Sequence, residues 1–71
     1  MNRIPVSSSN ILSIGYDPAS QTLEVEFNDS RLYEYLHVPA SLHRSLMQAP
    51  SKGGFLDAFI KKGGFQYRQV R

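Results

Sequence analysis

The sequence has no cysteine, so it offers neither a disulfide framework nor a thiolate metal site. Its two histidines, His37 and His43, fall on different predicted elements, so no metal or catalytic signature forms around them. No apolar run approaches the roughly 20 residues needed to span a membrane, and the N-terminus lacks the apolar core of a signal peptide. These absences predict a cytoplasmic protein with no membrane partner, no metal and no cofactor.

Acidic residues are scarce in the second half of the chain, although the net charge is only +2. Residues 1–36 carry five acidic groups against two basic ones, whereas residues 37–71 carry six basic groups against Asp57 alone. If the two halves form different faces, the basic face would attract polyanions in a salt-dependent way. The alternative is that these lysines and arginines only keep short helices in solution.

Apolar alternation in the first half predicts three β-strands, at residues 11–17, 21–27 and 31–37. The middle strand is the clearest, because apolar Leu23, Val25 and Phe27 alternate strictly with polar residues. Before them, residues 1–8 are predicted to be a flexible N-terminal segment, and residues 9–71 a single domain.

The period becomes helical after Val38. Pro39 is predicted in the first turn of a helix that Pro50 ends. Ser51 is a good N-cap for a second helix, which runs to about Lys62, with Gly63 in the left-handed conformation that closes it.

Residues 65–70 alternate weakly and predict a short last strand or an extended tail. The predicted fold class is therefore α+β. It consists of a three-stranded antiparallel meander followed by two helices packed on one face, with a short C-terminal strand as an addition.

The turn at residues 28–30 decides where Tyr33 and Tyr35 point. A three-residue loop pairs Val25 with Tyr33 and puts the tyrosines on the apolar side. A two-residue loop pairs Val25 with Glu34. It would bury the Glu34 carboxylate without a partner, which costs roughly several kcal/mol. The sequence therefore favours tyrosines that face the core, and the alternative is an exposed stacking platform.

The favoured register has two further consequences. It places Glu24 opposite Glu34 on a solvated outer face, where a like-charge pair costs at most about 1 kcal/mol. It also leaves Leu32 and Leu36 on that outer face, and it requires left-handed backbone at Ser30, where glycine is usual.

Two stretches are candidates for anion binding. Ser51, Lys52 and Gly53 open a helix with unobstructed N–H groups, which suits a phosphate, although the Walker spacing is absent and the glycines also suit a tight corner. Near the C-terminus, basic and aromatic residues interleave as they do in single-strand binders, or they close the core: Lys61, Lys62, Phe65, Tyr67 and Arg68.

Four short motifs together resemble the KTSC domain. They are SIGYD at residues 13–17, LEVEF at 23–27, the Tyr33-x-Tyr35 pair with Val38-Pro39, and APSKGGF at 49–55. That small bacterial module is named for its occurrence at the C-terminus of some lysyl-tRNA synthetases, and it also stands alone. The resemblance covers about residues 9–67, departs from the family at Ser30, and implies RNA binding by association with a tRNA-handling enzyme.

The leading hypothesis is a non-enzymatic, monomeric binding module that contacts RNA, as tRNA or a single strand, through its basic C-terminal half. Its candidate nucleic-acid-binding residues are Arg44, Ser51, Lys52, Gly53, Lys61, Lys62, Tyr67 and Arg68. The alternative is a protein–protein adaptor or subunit-docking domain that uses the apolar pair Leu32 and Leu36.

Overall fold

A five-stranded antiparallel sheet is the framework of the protein in a computed structural model that describes residues 2–71. The strands lie in chain order: β1 (Arg3–Pro5), β2 (Ile11–Asp17), β3 (Thr22–Phe27), β4 (Leu32–Tyr35) and β5 (Tyr67–Gln69). The predicted α+β class is confirmed, and β5 is the short last strand predicted within residues 65–70. The three-stranded meander is wrong, because the sheet has five strands. Strand β1 falls within segment 1–8, predicted to be flexible, and Met1 of that segment lies outside the described residues.

Helix α1 (Ala40–Gln48) is followed by helix α2 (Lys52–Phe55), which continues directly into a π-helical segment, Leu56–Lys61. Pro39 is the N-cap of α1, with extended backbone, and does not lie inside the first turn. Within residues 2–71, no helix combines the length and the apolar character needed to cross a membrane.

The caps of the second helix differ in part from the prediction. The Ser51 hydroxyl accepts a hydrogen bond from the Gly54 N–H at 3.2 Å, which confirms the predicted N-cap. The prediction of left-handed backbone at Gly63 is wrong, because the glycine with a positive φ is Gly64, at 81°. The chain turns one residue later because the π-helical segment accommodates an extra residue before it ends.

The helices bury one face of the sheet. Leu46 of α1 and Leu56 and Ile60 of the π-helical segment are essentially inaccessible to solvent and pack into the strand residues. The core cluster of buried residues consists of Ile11, Ile14, Leu23, Val25, Phe27, Tyr35, Val38, Leu46, Leu56 and Ile60.

The hairpin between β3 and β4 has the register that the charge argument favoured. Val25 pairs with Tyr33 and Glu24 with Glu34, across a turn in which Ser30 has a φ of 75°. Tyr35 is only 2% exposed, and its burial raises the pKa of its hydroxyl to about 12. Tyr33 is only half-buried, so the two tyrosines have different environments.

The outer face of the sheet, opposite the helices, is covered by arginines. Arg3 of β1 pairs with Glu24, and Arg68 of β5 lies 2.6 Å from Glu34, so Glu24 is buried and does not stand in solvent as expected. Acidic and basic residues therefore meet on one face, and the two halves of the chain do not form separate charged faces.

The prediction that Leu32 and Leu36 are exposed on the outer face of the sheet is also wrong. Leu32 is only 6% exposed and Leu36 is half-buried. Arg71, two residues after β5, pairs with Glu26, the cross-strand partner of Leu32, and its carbonyl accepts a hydrogen bond from the Leu32 N–H at 3.0 Å. An adaptor surface built on these two leucines is thereby lost.

Candidate functional site

Three tyrosines contact one another on strands β4 and β5, beside the end of the π-helical segment. Tyr35 and Tyr67 are directly paired across the strands, and Tyr33 lies one pair along on the same face. The rings of Tyr33 and Tyr67 are nearly parallel, with centroids 5.8 Å apart, and Tyr67 is 63% exposed. This tyrosine cluster (Tyr33, Tyr35, Tyr67) therefore has a buried base and one openly accessible ring.

Lys61 brings a positive charge to the tyrosine cluster. It is the last residue of the π-helical segment, and its ammonium lies 5.1 Å from the centroid of the Phe27 ring, beside Tyr33. Lys62 follows it but turns toward its own helix, with its ammonium 3.3 Å from the Asp57 carboxylate. Because π-helical turns shift side chains around the helix axis, this segment fixes which of the two lysines faces the sheet.

Lys61 and Tyr33 separate two neighbouring hollows. The tyrosine hollow, of about 250 Å³, is lined by the tyrosine cluster and Lys61. The hairpin hollow, of about 280 Å³, adjoins the turn between β3 and β4, and its lining consists of Ser9, Asn10, Phe27, Asn28, Asp29, Arg31, Tyr33 and Lys61. One lysine therefore serves two concave surfaces.

The rim of the hairpin hollow holds an oriented ion pair. Arg31 Nε lies 2.7 Å from Asp29 Oδ2, and the Arg31 backbone N–H donates to Asp29 Oδ1 at 3.2 Å. That backbone hydrogen bond, followed by the guanidinium, lowers the pKa of Asp29 below its usual value. The carboxylate is therefore ionised at neutral pH and holds the guanidinium in one orientation.

The predicted site residues fall into separate places. Lys61 and Tyr67 meet at the tyrosine hollow. Ser51, Lys52 and Gly53 lie together in a polar hollow against residues 7–10, where the Lys52 ammonium donates to the Ala49 carbonyl at 3.3 Å.

Gly53 has a packing role in that polar hollow. A Cβ at this position would lie 2.5 Å from the Asn10 side-chain oxygen, so a larger residue would force the Asn10 side chain to move. The glycine therefore permits a close approach to Asn10, and not the tight corner that the sequence suggested.

The remaining predicted residues lie elsewhere. Arg68 is on the outer face with Glu34, Lys62 is paired with Asp57, and Arg44 is exposed on α1 and lines none of the hollows described here. The structure therefore does not join all eight residues into one continuous basic surface.

Sequence reasoning missed the contribution of the hairpin turn. From the sequence, Asp29 is a turn residue, Arg31 begins the third predicted strand, and Tyr33 and Tyr35 share one environment. None of these predictions gives Arg31 or Tyr33 a place in a binding site. The available signal was the register itself, because it places Tyr33 nearer the turn than Tyr35. Tyr33 and Tyr35 lie on the same face of β4, yet only Tyr33 is reached by solvent. Alternation within a strand predicts the face of a side chain but not how far the packing elements bury it.

The titratable groups outside the two hollows have structural roles where residues 2–71 show their contacts. Among residues 2–71, no group of three or more histidine, aspartate or glutamate side chains could hold a metal ion. His43 stacks on Tyr16 with ring centroids 4.5 Å apart, and burial, with a smaller effect of Arg44, lowers its pKa. These contacts identify His43 as a packing residue.

Comparison with known proteins gives a consistent family. A family model described as the KTSC domain matches residues 7–67. The crystal structure of a KTSC domain protein from Yersinia pestis is similar to this chain, with a TM-score of 0.92 and 50% sequence identity. The aligned region covers 99% of this chain and 97% of the Yersinia chain. An uncharacterized protein of Stutzerimonas stutzeri is 37% identical over 99% of both chains.

A further relative is much longer. A lysine–tRNA ligase of Nostoc sp. is 44% identical over 62 residues, which are 87% of this chain but 11% of the ligase. The chain therefore corresponds to about a tenth of that enzyme's length. The family model that matches this region, the KTSC domain, is not the model of a catalytic family.

Proposed function

This chain belongs to the KTSC domain family, and we propose that it is a non-enzymatic module that binds single-stranded RNA through the tyrosine hollow. One observation carries the proposal: the exposed ring of Tyr67 and the Lys61 side chain line the same concave surface. Stacking on an aromatic ring stabilises a bound base by about 1–3 kcal/mol, and it tolerates any base.

The arrangement supplies the two contacts that a single strand needs. A base stacks on the open face of Tyr67, while the parallel Tyr33 ring and buried Tyr35 keep that ring in place. The Lys61 ammonium then lies on the same rim as the ring, where it pairs with a phosphate of the strand. A duplex would hide its bases from this surface, so the substrate class is an unpaired strand or a loop.

The ligase relative supports this choice of ligand. Lysine–tRNA ligase, by its name, acts on tRNA, and a segment of the Nostoc enzyme is 44% identical to this chain. A small domain that stacks unpaired bases would add an RNA contact to such an enzyme. On this chain, the same surface would bind single-stranded RNA.

A binding titration with paired lysine variants tests the proposal. We expect a fluorescently labelled ten-nucleotide RNA to bind the purified protein in fluorescence anisotropy. Tyr67→Ala should weaken binding by about tenfold, because it removes the stacking surface. Lys61→Gln should also weaken binding, whereas Lys62→Gln, one residue away and paired with Asp57, should not.

Two outcomes would contradict the proposal. One is the absence of any binding at low salt, with the protein shown to be folded by circular dichroism. The other is equal affinity of the wild type and Tyr67→Ala, which would exclude the tyrosine hollow as the surface of contact.

A further inference from the structure

We propose that the hairpin hollow is a second base site, next to the tyrosine hollow, and that it selects guanine through Arg31. This inference rests on the proposed function and deepens it, because it gives the bound RNA a sequence preference. Its basis is the shared wall of the two hollows and the chemistry of the hairpin rim.

The two hollows are close enough to take consecutive nucleotides. Tyr33 and Lys61 line both of them, so the two hollows share a wall. A phosphate paired with Lys61 has one nucleotide on each side along the strand. With one base on Tyr67, the neighbouring base enters the hairpin hollow.

Arg31 supplies the donors that recognise guanine. Its Nε is held by Asp29, and its terminal Nη atoms have no hydrogen-bond partner among residues 2–71. A guanidinium with two free parallel donors matches the O6 and N7 acceptors of guanine. Adenine has an amino donor in place of O6, so it offers such a guanidinium one acceptor fewer.

The other side of the hairpin hollow offers acceptors. Asn28 is fixed by its Nδ2, which donates to the Ser9 carbonyl at 2.8 Å, so its side-chain oxygen remains as an acceptor on the rim. The ionised Asp29 carboxylate adds further lone pairs. Guanine carries an amino donor at N2 in addition to its O6 and N7 acceptors, so its edges suit a rim that holds both donors and acceptors.

Two RNA heptamers that differ in one base test the inference. UUUGUUU and UUUAUUU are titrated against the wild-type protein under identical salt, and the measured quantity is the ratio of their affinities. We expect the guanine heptamer to bind about tenfold more tightly, the usual value of one bidentate contact. Arg31→Lys keeps the charge but loses the planar fork, so the ratio should fall, whereas Arg31→Ala removes every donor and should bring the ratio to about one.

The controls separate this inference from the proposed function. Lys62→Gln should leave both affinities and their ratio unchanged, and circular dichroism should show that both Arg31 variants are folded. Equal affinities for the two heptamers in the wild type, or a guanine preference that is undiminished in Arg31→Ala, would overturn the guanine site. If those heptamers still lose affinity in Tyr67→Ala, the proposed function stands; if neither heptamer binds, both proposals fail.

Discussion

Ser30 adopts a backbone conformation that its side chain does not favour. Its φ is 75°, and left-handed backbone costs a residue with a Cβ about 1–2 kcal/mol. The turn is nevertheless held by the Ser30 N–H, which donates to the Phe27 carbonyl at 3.0 Å, and by the Ser30 carbonyl, which accepts from Arg71 at 3.0 Å. The hairpin therefore forms because hydrogen bonds, one from the Arg71 side chain, offset a local strain.

Replacing that serine should stabilise the protein. We expect Ser30→Gly to raise the free energy of unfolding by about 0.5–1 kcal/mol, since relief of the strain exceeds the added flexibility of the unfolded chain. Urea denaturation followed by tyrosine fluorescence measures it. The matched control is Gly64→Ala, where a Cβ meets no atom within 4 Å but φ is 81°, so about 1 kcal/mol should be lost. Destabilisation by Ser30→Gly would mean that the serine side chain itself supports the turn.

The edge strands are attached to the meander by side chains as well as by their backbones. Arg3 joins β1 to Glu24, while Arg68 and Arg71 join the C-terminal strand and the residues after it to Glu34 and Glu26. Strands of three residues have few backbone hydrogen bonds, so these ion pairs contribute to holding the edges in place. Acid should weaken the same attachment.

Glu26 gives that attachment a definite pH dependence. The Ser13 hydroxyl, which donates at 2.8 Å, and then Arg71 lower the pKa of Glu26 below its usual 4.5. A lowered pKa in the folded state stabilises the protein above about pH 4.5, and this contribution is lost as the pH falls toward the folded value. We expect Glu26→Gln to be less stable at neutral pH and to lose less stability in acid.

Urea denaturation at a series of pH values from about 6 to 3 measures this difference. Ser13→Ala removes the leading cause of the shift and should reduce the acid sensitivity in the same direction. Asp29, whose pKa is also lowered, remains in both variants and sets the residual slope. Parallel stability curves for the wild type and Glu26→Gln would show that the carboxylate is not stabilised in the folded state.

Local pattern predicted the central strands well and the edges poorly. Strict alternation identified β3, and weighing an exposed glutamate pair against a buried carboxylate fixed its register with β4, because both depend on neighbouring residues. Strand β1 has only three residues and a proline, so no periodicity marks it. The π-helical segment was read as ordinary helix, since Leu56 and Ile60 satisfy either winding.

The site was partly predictable because some of its residues are neighbours in the sequence. Tyr67 and Lys61 belong to a visible run of basic and aromatic residues, and the structure brings them together. Arg31 joins them only because the hairpin turn lies beside the end of the second helix, and that proximity follows from packing. Arg68 moves to the opposite face because side chains alternate along β5.

The distribution of charge over the whole protein depends on the return of the chain to the sheet. Strand β5 pairs with β4 at the edge of an acidic face, so Arg68 and Arg71 neutralise glutamates from the first half of the chain. Lys62 is paired within its own helix. Of the second-half cations, Arg44, Lys52 and Lys61 are left without an acidic partner among residues 2–71.

This charge pairing limits the salt dependence of RNA binding. Each phosphate neutralised on a single strand contributes about −0.7 to the slope of log affinity against log salt. Lys61 lines both base hollows, and Lys52 lines a third hollow that shares Ser9 and Asn10 with the hairpin hollow. We therefore expect a slope between about −0.7 and −1.4, whereas the five cations of the predicted site acting together would give about −3.5.

Anisotropy titrations of the ten-nucleotide RNA at four salt concentrations measure that slope. Lys61→Gln should reduce its magnitude by about 0.7, because one phosphate contact is lost. Arg68→Gln should leave the slope unchanged, since that guanidinium lies 2.6 Å from Glu34 on the other face of the sheet. A slope near −3.5, or one that falls equally in both variants, would mean that the RNA displaces the glutamates and binds the outer face as well.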